Sequence, residues 1–307
     1  MITAQQVAQP RAIDGMSAAE RRDLALYRIM RSLPVPVASR IGAALSQSMG
    51  RRAYPGADAR VAAGIRRLRP DLAGTSASLE ATQVRFWAHV GRIYAEFCLL
   101  HKMVPRGRVD IDDPDTFSAV LSDGRPVIVP FVHLGNWETA GTVLSFSAPG
   151  RMCALSNPMP PNRIQAQIAS LQHARLPCKV LTFDGTVWRR ALHHLEQPGG
   201  ILFVAIDEVV PGRVSVPCFG RSIDAGANVC KIVRIAARTG AIILPIYSER
   251  LEGARFCTRI LRPLEIQRQP RLESDEQMIH VRKLDQVYEA AILRLIDQWF
   301  GLLDFRE

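Results

Sequence analysis

Residues 130 to 141, PFVHLGNWETAG, bring a histidine, a glycine, an asparagine, a tryptophan and a carboxylate together where an apolar run ends. His133 directly follows GRPVIVPFV, which places it at the carboxyl end of a strand, the edge where open α/β sheets form their ligand crevice. Glu138 lies five residues further on. On a continuous helix that spacing would turn the two side chains about 140° apart, so they meet only across a strand-to-helix turn, for which Gly135 and Asn136 are suited. There Glu138 holds one imidazole nitrogen and leaves the other to take a proton from a hydroxyl, the base-and-orienter arrangement of acyl transfer. The same residues also fit a plainer part, a turn histidine with its hydrogen bonds satisfied and a carboxylate stabilised at a helix N-terminus.

The elements that must position these groups are legible around them. Apolar runs at Val127–Val132, Met152–Leu155, Lys179–Thr182, Ile201–Ile206, Ala241–Tyr247 and Phe256–Leu261 are too short for helices and are separated mostly by helix-length segments. The pattern predicts an α/β fold with a mostly parallel central sheet flanked by helices. A helix is expected from Ser76 or Ser78, at the capping box in SASLEATQ, through to about Met103. Others are expected over Trp137–Ser147, over Ala227–Thr239 with Gly240 as its stop, and over Glu276–Phe300. Residues 1 to 75, rich in arginine and punctuated by Pro34, Pro36, Pro55 and Pro70, read as an N-terminal helical annex to a main domain spanning 76 to 307.

With 307 residues, 48% hydrophobic and 22% charged, the chain can bury a sizeable core. Its formal charge of +10 suits an anionic partner such as a membrane surface, an acidic carrier protein or a nucleic acid. Nucleic acid is set aside, because aromatics are only 7% and no binding module is recognisable. The six cysteines show neither C-x-x-C pairs nor zinc-ligand spacing and read as reduced core residues; no metal and no cofactor is expected. Neither a G-x-S-x-G elbow nor a phosphate-binding glycine loop occurs. No run of about 18 apolar residues is present, which predicts a soluble or peripheral protein. In the annex, Leu24, Tyr27, Met30, Leu33, Ile41 and Leu45 interleave with arginines, a pattern that fits a helix pair in the lipid headgroup plane and equally a pair packed on the core with snorkelling arginines.

HLGNWE after an apolar strand resembles the signature of the bacterial lipid A biosynthesis acyltransferase family, the lauroyl and myristoyl transferases related to phosphatidylinositol mannoside acyltransferases. QVRFWAHVGRIYAEFCLL is similar to the helix before that family's catalytic strand, and the segment ILFVAIDEVVPGRVSVPCFGRSIDAGANVCKIVRIAARTGAIILPIY to its second signature block, in which VSVPCFG stands as a strand. The resemblance implies a glycerolipid acyltransferase-like fold. It implies acyl transfer from a thioester on acyl carrier protein, or from acyl-CoA, to a hydroxyl of a lipid A precursor or similar glycolipid at the cytoplasmic face of the inner membrane. A catalytically idle lipid or carrier binder is the alternative, as is an acyltransferase acting on a lysophospholipid or a phosphatidylinositol mannoside. His133 would be the general base, Glu138 its orienter and Asp207 a second acid at the end of ILFVAI. Parallel strands deliver their carboxyl ends to one edge, so Asp207 is expected to share the crevice of His133. Asn136 and Glu208 are candidate substrate-binding residues. Arg213 and Arg221, flanking VSVPCFG, are candidates for gripping a phosphate, or else are solvated arginines. The arginine usual before the family's Asn-Pro pair is absent from ALSNPMPPNR, and Arg163 is the candidate to replace it.

Overall fold

The computed structural model describes residues 17–156, 163–209 and 213–306. Eight strands are present among them: β1 Val109–Ile111, β2 Val127–Phe131, β3 Met152–Ser156, β4 Lys179–Thr182, β5 Ile201–Ala205, β6 Ile242–Ile243, β7 Ile246–Arg250 and β8 Phe256–Ile260. Five of them form a parallel sheet in the order β4-β3-β5-β2-β6. β2, an interior strand between β5 and β6, is buried at every position, as expected for a strand covered on both faces. Val127, Val129 and Phe131 meet Phe117, Val143 and Leu144 on one face, the last two from the helix Trp137–Ser147. Ile128 and Val132 join the core on the other face, shared with the helices Val187–Leu195, Asn228–Thr239 and Ser274–Arg294. Full burial of such a side chain contributes roughly 1.5–3 kcal/mol, which is why continuous apolar runs located these strands well.

Four local expectations are corrected. The run Ala241–Tyr247 is two strands, because Pro245 has no N–H to donate and interrupts the ladder between β6 and β7. β7 leaves the parallel sheet and pairs antiparallel with β8, which pairs in parallel with β1, giving a second, three-stranded sheet. β1 itself lies in the polar stretch RGRVDIDD, whose charges hid it. Among the described residues VSVPCFG forms no strand; Phe219 is left-handed, and the segment pairs there through a single bridge from Val214 to Val209. The helix from Ser76, capped by Thr75 and Ser78, stops at Phe97 and resumes only as a short turn at Leu100–Met103. The last helix runs Ser274–Arg294, and the chain then turns tightly through Ile296–Gln298 and Phe300–Leu303.

The first helices, Ala18–Ser32, Val35–Leu45 and Pro55–Leu68, lie against the rest in two ways. Gly42 of the second meets Gly91 of the Ser76–Phe97 helix so closely that a Cβ on Gly42 would fall 2.3 Å from the Gly91 carbonyl oxygen, so the two backbones touch directly. Val61 and Ile65 of the third join Phe86, Trp299 and Phe305 in the main core, and Arg60 donates to the Leu303 carbonyl at 2.7 Å. Of the six apolar annex residues, Leu24, Tyr27 and Met30 are buried, Leu33 is half-buried, and Ile41 and Leu45 are exposed.

Candidate active site

β2 and β5 are paired with Phe131 opposite Ala205. Two residues beyond each partner stand His133 and Asp207, so the register alone carries these two, 74 residues apart, to facing positions. The Asp207 carboxylate is almost fully buried and takes three hydrogen bonds: from His133 Nδ1 to Oδ1 at 2.7 Å, from the His133 backbone N–H to Oδ2 at 2.8 Å, and from Trp299 Nε1 to Oδ2 at 3.2 Å. An ionised carboxylate only accepts, so Nδ1 carries the proton. Nε2 has no hydrogen-bond partner among the described residues, and the His133 side chain remains 27% exposed. Trp137 and Phe131 meet the ring edge-on, with centroids at 4.6 and 5.7 Å. Burial pulls the imidazole pKa down, but the Asp207 carboxylate outweighs it through its charge and hydrogen bond, with smaller help from Glu138 and Glu208, and the pKa is raised above its ordinary value.

The nitrogen that the sequence alone gives to Glu138 is thus held by Asp207. A reading confined to neighbours along the chain finds Glu138 as the nearest acid, whereas strand register supplies a closer one. Glu138 lies in the first turn of its helix, where burial raises its pKa and the nearby His173 and His133 pull it back. It is close enough to act on His133 through its charge.

The loop between them is fixed from several sides. Gly135 has φ +58°, and a Cβ there would fall 2.0 Å from the Ser248 carbonyl oxygen, so only glycine fits. Gly135 N–H donates to the Gln298 carbonyl at 3.0 Å, Phe300 N–H donates to the His133 carbonyl at 2.9 Å, and Leu134 bridges Trp299. The C-terminal turn therefore clamps the loop while Trp299 supports Asp207.

Beneath the loop lies a buried network that sequence reasoning missed. Arg250, at the end of β7, makes a two-pronged ion pair with Glu96, both contacts at 2.7 Å, and its Nε donates to His89 Nδ1 at 3.0 Å. His89 Nε2 faces the Gly135 carbonyl at 3.1 Å, which identifies it as the donor. The available signal was His89 and Glu96 seven residues apart on the apolar side of one helix, since two turns return to the same face.

Of the substrate-binding candidates, most are turned elsewhere. Asn136 is fully buried and donates to Glu96 Oε2 at 2.9 Å, so it belongs to the network rather than to the crevice surface. Glu208 accepts the backbone N–H of Asn228 at 2.5 Å, at the start of the Asn228–Thr239 helix, and burial pushes its carboxyl up to about 7. Its second oxygen has no partner among the described residues. Arg221 is spent on its own loop: it donates to the carbonyls of Cys218 at 2.8 Å and Val214 at 3.0 Å and lies over the Phe305 ring. A grip on phosphate is not its arrangement. Arg213 is exposed nearby and lowers the Arg221 pKa through its charge, behind the larger effect of burial. Arg163 begins the helix Arg163–His173, and its side chain lies outside the described residues.

A family model described as bacterial lipid A biosynthesis acyltransferase matches residues 23–304, from the first helix to the C-terminal turn that clamps the His133 loop. No curated protein matches the chain.

Proposed function

The chain belongs to the bacterial lipid A biosynthesis acyltransferase family and is an acyltransferase; on that premise we propose that His133 is the general base for transfer of a fatty acyl chain from acyl carrier protein to a hydroxyl of a lipid A precursor or similar glycolipid. His133 Nε2 takes the proton of the acceptor hydroxyl as its oxygen attacks the thioester carbonyl. The tetrahedral intermediate then collapses, the C–S bond breaks, and the imidazolium returns the proton to the departing thiolate. The ester and the free pantetheine thiol are the products, so nothing else is consumed.

The observation that carries this reading is the 2.7 Å contact of Nδ1 with Asp207. It fixes the tautomer that presents a lone pair at Nε2, and it stabilises the imidazolium formed during transfer. Asp207 is thus the orienter and Glu138 a second negative charge near the ring. Residues 1–75 are proposed as the annex that contacts the membrane and 76–307 as the acyltransferase domain. Among the described residues no helix is long and apolar enough to cross a membrane. We take the protein to sit peripherally on the cytoplasmic face of the inner membrane, held in part by its charge of +10.

The test is consumption of an acyl carrier thioester with and without lipid hydroxyl acceptor, with the product followed by mass spectrometry. Acceptor-dependent release of thiol together with the new ester is expected. Thiol release that ignores the acceptor would sink the transferase mechanism as written.

A further inference from the structure

The seam between the helices Val35–Leu45 and Ser76–Phe97 has two different edges. Gly42, Gly91 and Ala95 lie within it. On one edge Arg92 donates to Ser39 at 3.0 Å. Residues two apart on a helix point about 200° away from each other, so Ile41, two after Ser39, and Tyr94, two after Arg92, emerge on the opposite edge. Leu45 and Met49 follow Ile41 at every fourth residue. Ile41, Leu45, Met49 and Tyr94 are 36%, 42%, 63% and 67% exposed, and Tyr54, whose electrostatic influence reaches Tyr94, is 64% exposed. An aliphatic ridge with two tyrosines has therefore been left in solvent.

Charge and position indicate what covers it. Residues 17–54 carry seven arginines against two carboxylates, Glu20 and Asp23, and of these arginines Arg22 is paired with Asp23 and Arg51 with Asp58 and Glu80. Apolar side chains, tyrosines and surplus arginine on one helical layer match the interfacial zone of an anionic bilayer, where aliphatic groups enter the acyl boundary, phenols sit at headgroup level and guanidinium groups meet phosphate. An acidic carrier protein would match the arginines but would gain less from the ridge. The ridge also leads to the site. Tyr94 meets Phe300 with ring centroids 6.4 Å apart, Phe300 meets Trp137 at 5.4 Å, and Trp137 meets His133 at 4.6 Å.

We propose that the edge bearing Ile41, Leu45, Met49, Tyr54 and Tyr94 is the membrane-docking face, which seats in an anionic phospholipid surface so that the aromatic row Tyr94–Phe300–Trp137 opens from the bilayer onto His133. This rests on the reading that the acceptor is a membrane lipid.

The test is co-sedimentation of the full chain with vesicles of phosphatidylethanolamine and phosphatidylglycerol, for the wild type and for the triple variant Ile41→Ser, Leu45→Ser, Met49→Ser. The variant is expected to lose at least about tenfold in partition, to melt at the wild-type temperature, and to keep wild-type turnover on detergent-dispersed acceptor while losing turnover on acceptor embedded in vesicles. Wild type that stays in the supernatant, or a variant that partitions as the wild type does, overturns the proposal. So does a variant that keeps its vesicle binding and loses instead its binding to acyl carrier protein. Should the triple variant fail to fold, Leu45→Glu alone serves, with the same outcomes. Vesicle binding is read without chemistry, so absence of acyl transfer in every sample would count against the proposed reaction and leave this face to be judged by partition.

Discussion

Two histidines lie on either side of the HLGN loop, and each is paired with charge, yet they are wired in opposite ways. His89, beneath the loop, spends both nitrogens, one on Arg250 and one on the Gly135 carbonyl, within a closed network that also consumes Glu96 and Asn136. His133, on the crevice side, spends only Nδ1, on Asp207, and keeps Nε2 available. Their acidities separate accordingly. Burial and then the Arg250 charge push His89 well below its ordinary value, whereas the Asp207 carboxylate lifts His133 despite burial. A neutral, doubly bonded imidazole holds a backbone in place. One braced by a carboxylate on a single side can pick up a proton and hand it back.

Replacing each histidine's support should separate these parts. His133→Ala should lower acyl transfer by about 10²–10⁴-fold, the usual contribution of a positioned base, in a protein that still folds. Turnover near wild type in a folded protein would remove His133 from the reaction. Arg250→Met should do the reverse and cost roughly 3–5 kcal/mol of stability, because it leaves the Glu96 carboxylate buried without its counter-charge. Denaturant unfolding reads this, and a cost below about 1 kcal/mol would show that water enters and relieves the charge.

Asp207→Asn should reduce turnover by about 10²-fold, by freeing the imidazole to adopt the other tautomer. It should also move the acidic limb of the rate profile to lower pH. As the proposed base, His133 has to be deprotonated, and with its pKa raised the rate should climb with pH through a value above about 6.5; loss of the Asp207 charge brings that limb down. Glu138→Gln, which removes charge near the ring but no bond to Nδ1, should cost less than tenfold and shift the limb less. If Glu138→Gln is the more damaging of the two, the assignment of the orienter reverts to Glu138.

The sequence exposed one member of this comparison and hid the other, for physical reasons. His133 was visible because an apolar strand, a glycine turn and a helix start surround it, all of them local signals. The five-stranded sheet was visible because β2 and β5 are continuous apolar runs buried on both faces. Asp207 was recognisable as a strand-end acid, but its bond to Nδ1 depends on the β2–β5 register, which no local pattern encodes. Trp299 and Arg250 lie 92 and 154 positions away from their partners Asp207 and Glu96, and Arg250 reads in sequence like any strand-end arginine. The second sheet was obscured by the charges around β1 and by a single proline in an otherwise unbroken apolar run.

The finest test of the comparison is the pH dependence of stability, because the two histidines contribute with opposite signs. His89 titrates near 6.5 in the unfolded chain and well below that in the folded protein. Its contribution is therefore fully present above about 6.5 and is lost as pH falls from there toward the folded value, with a slope of at most about 1.4 kcal/mol per pH unit for one proton. His133, raised in the folded state, contributes stability that is complete below about 6.5 and is lost as pH rises through its folded value. Between about pH 5 and 6.5, where Glu208, its carboxyl pushed up to about 7, contributes the opposite slope, His89→Gln should lower the rise of unfolding free energy with pH relative to the wild type, whatever its effect at neutral pH, while His133→Ala should leave that part of the curve unchanged and remove the His133 share of the decline above about 6.5. Unfolding free energies of the wild type and both variants, measured across this range and up to about pH 8, would check it. An acid limb equally steep in His89→Gln and wild type would mean that another group titrates there and that His89 is not held neutral by burial and Arg250.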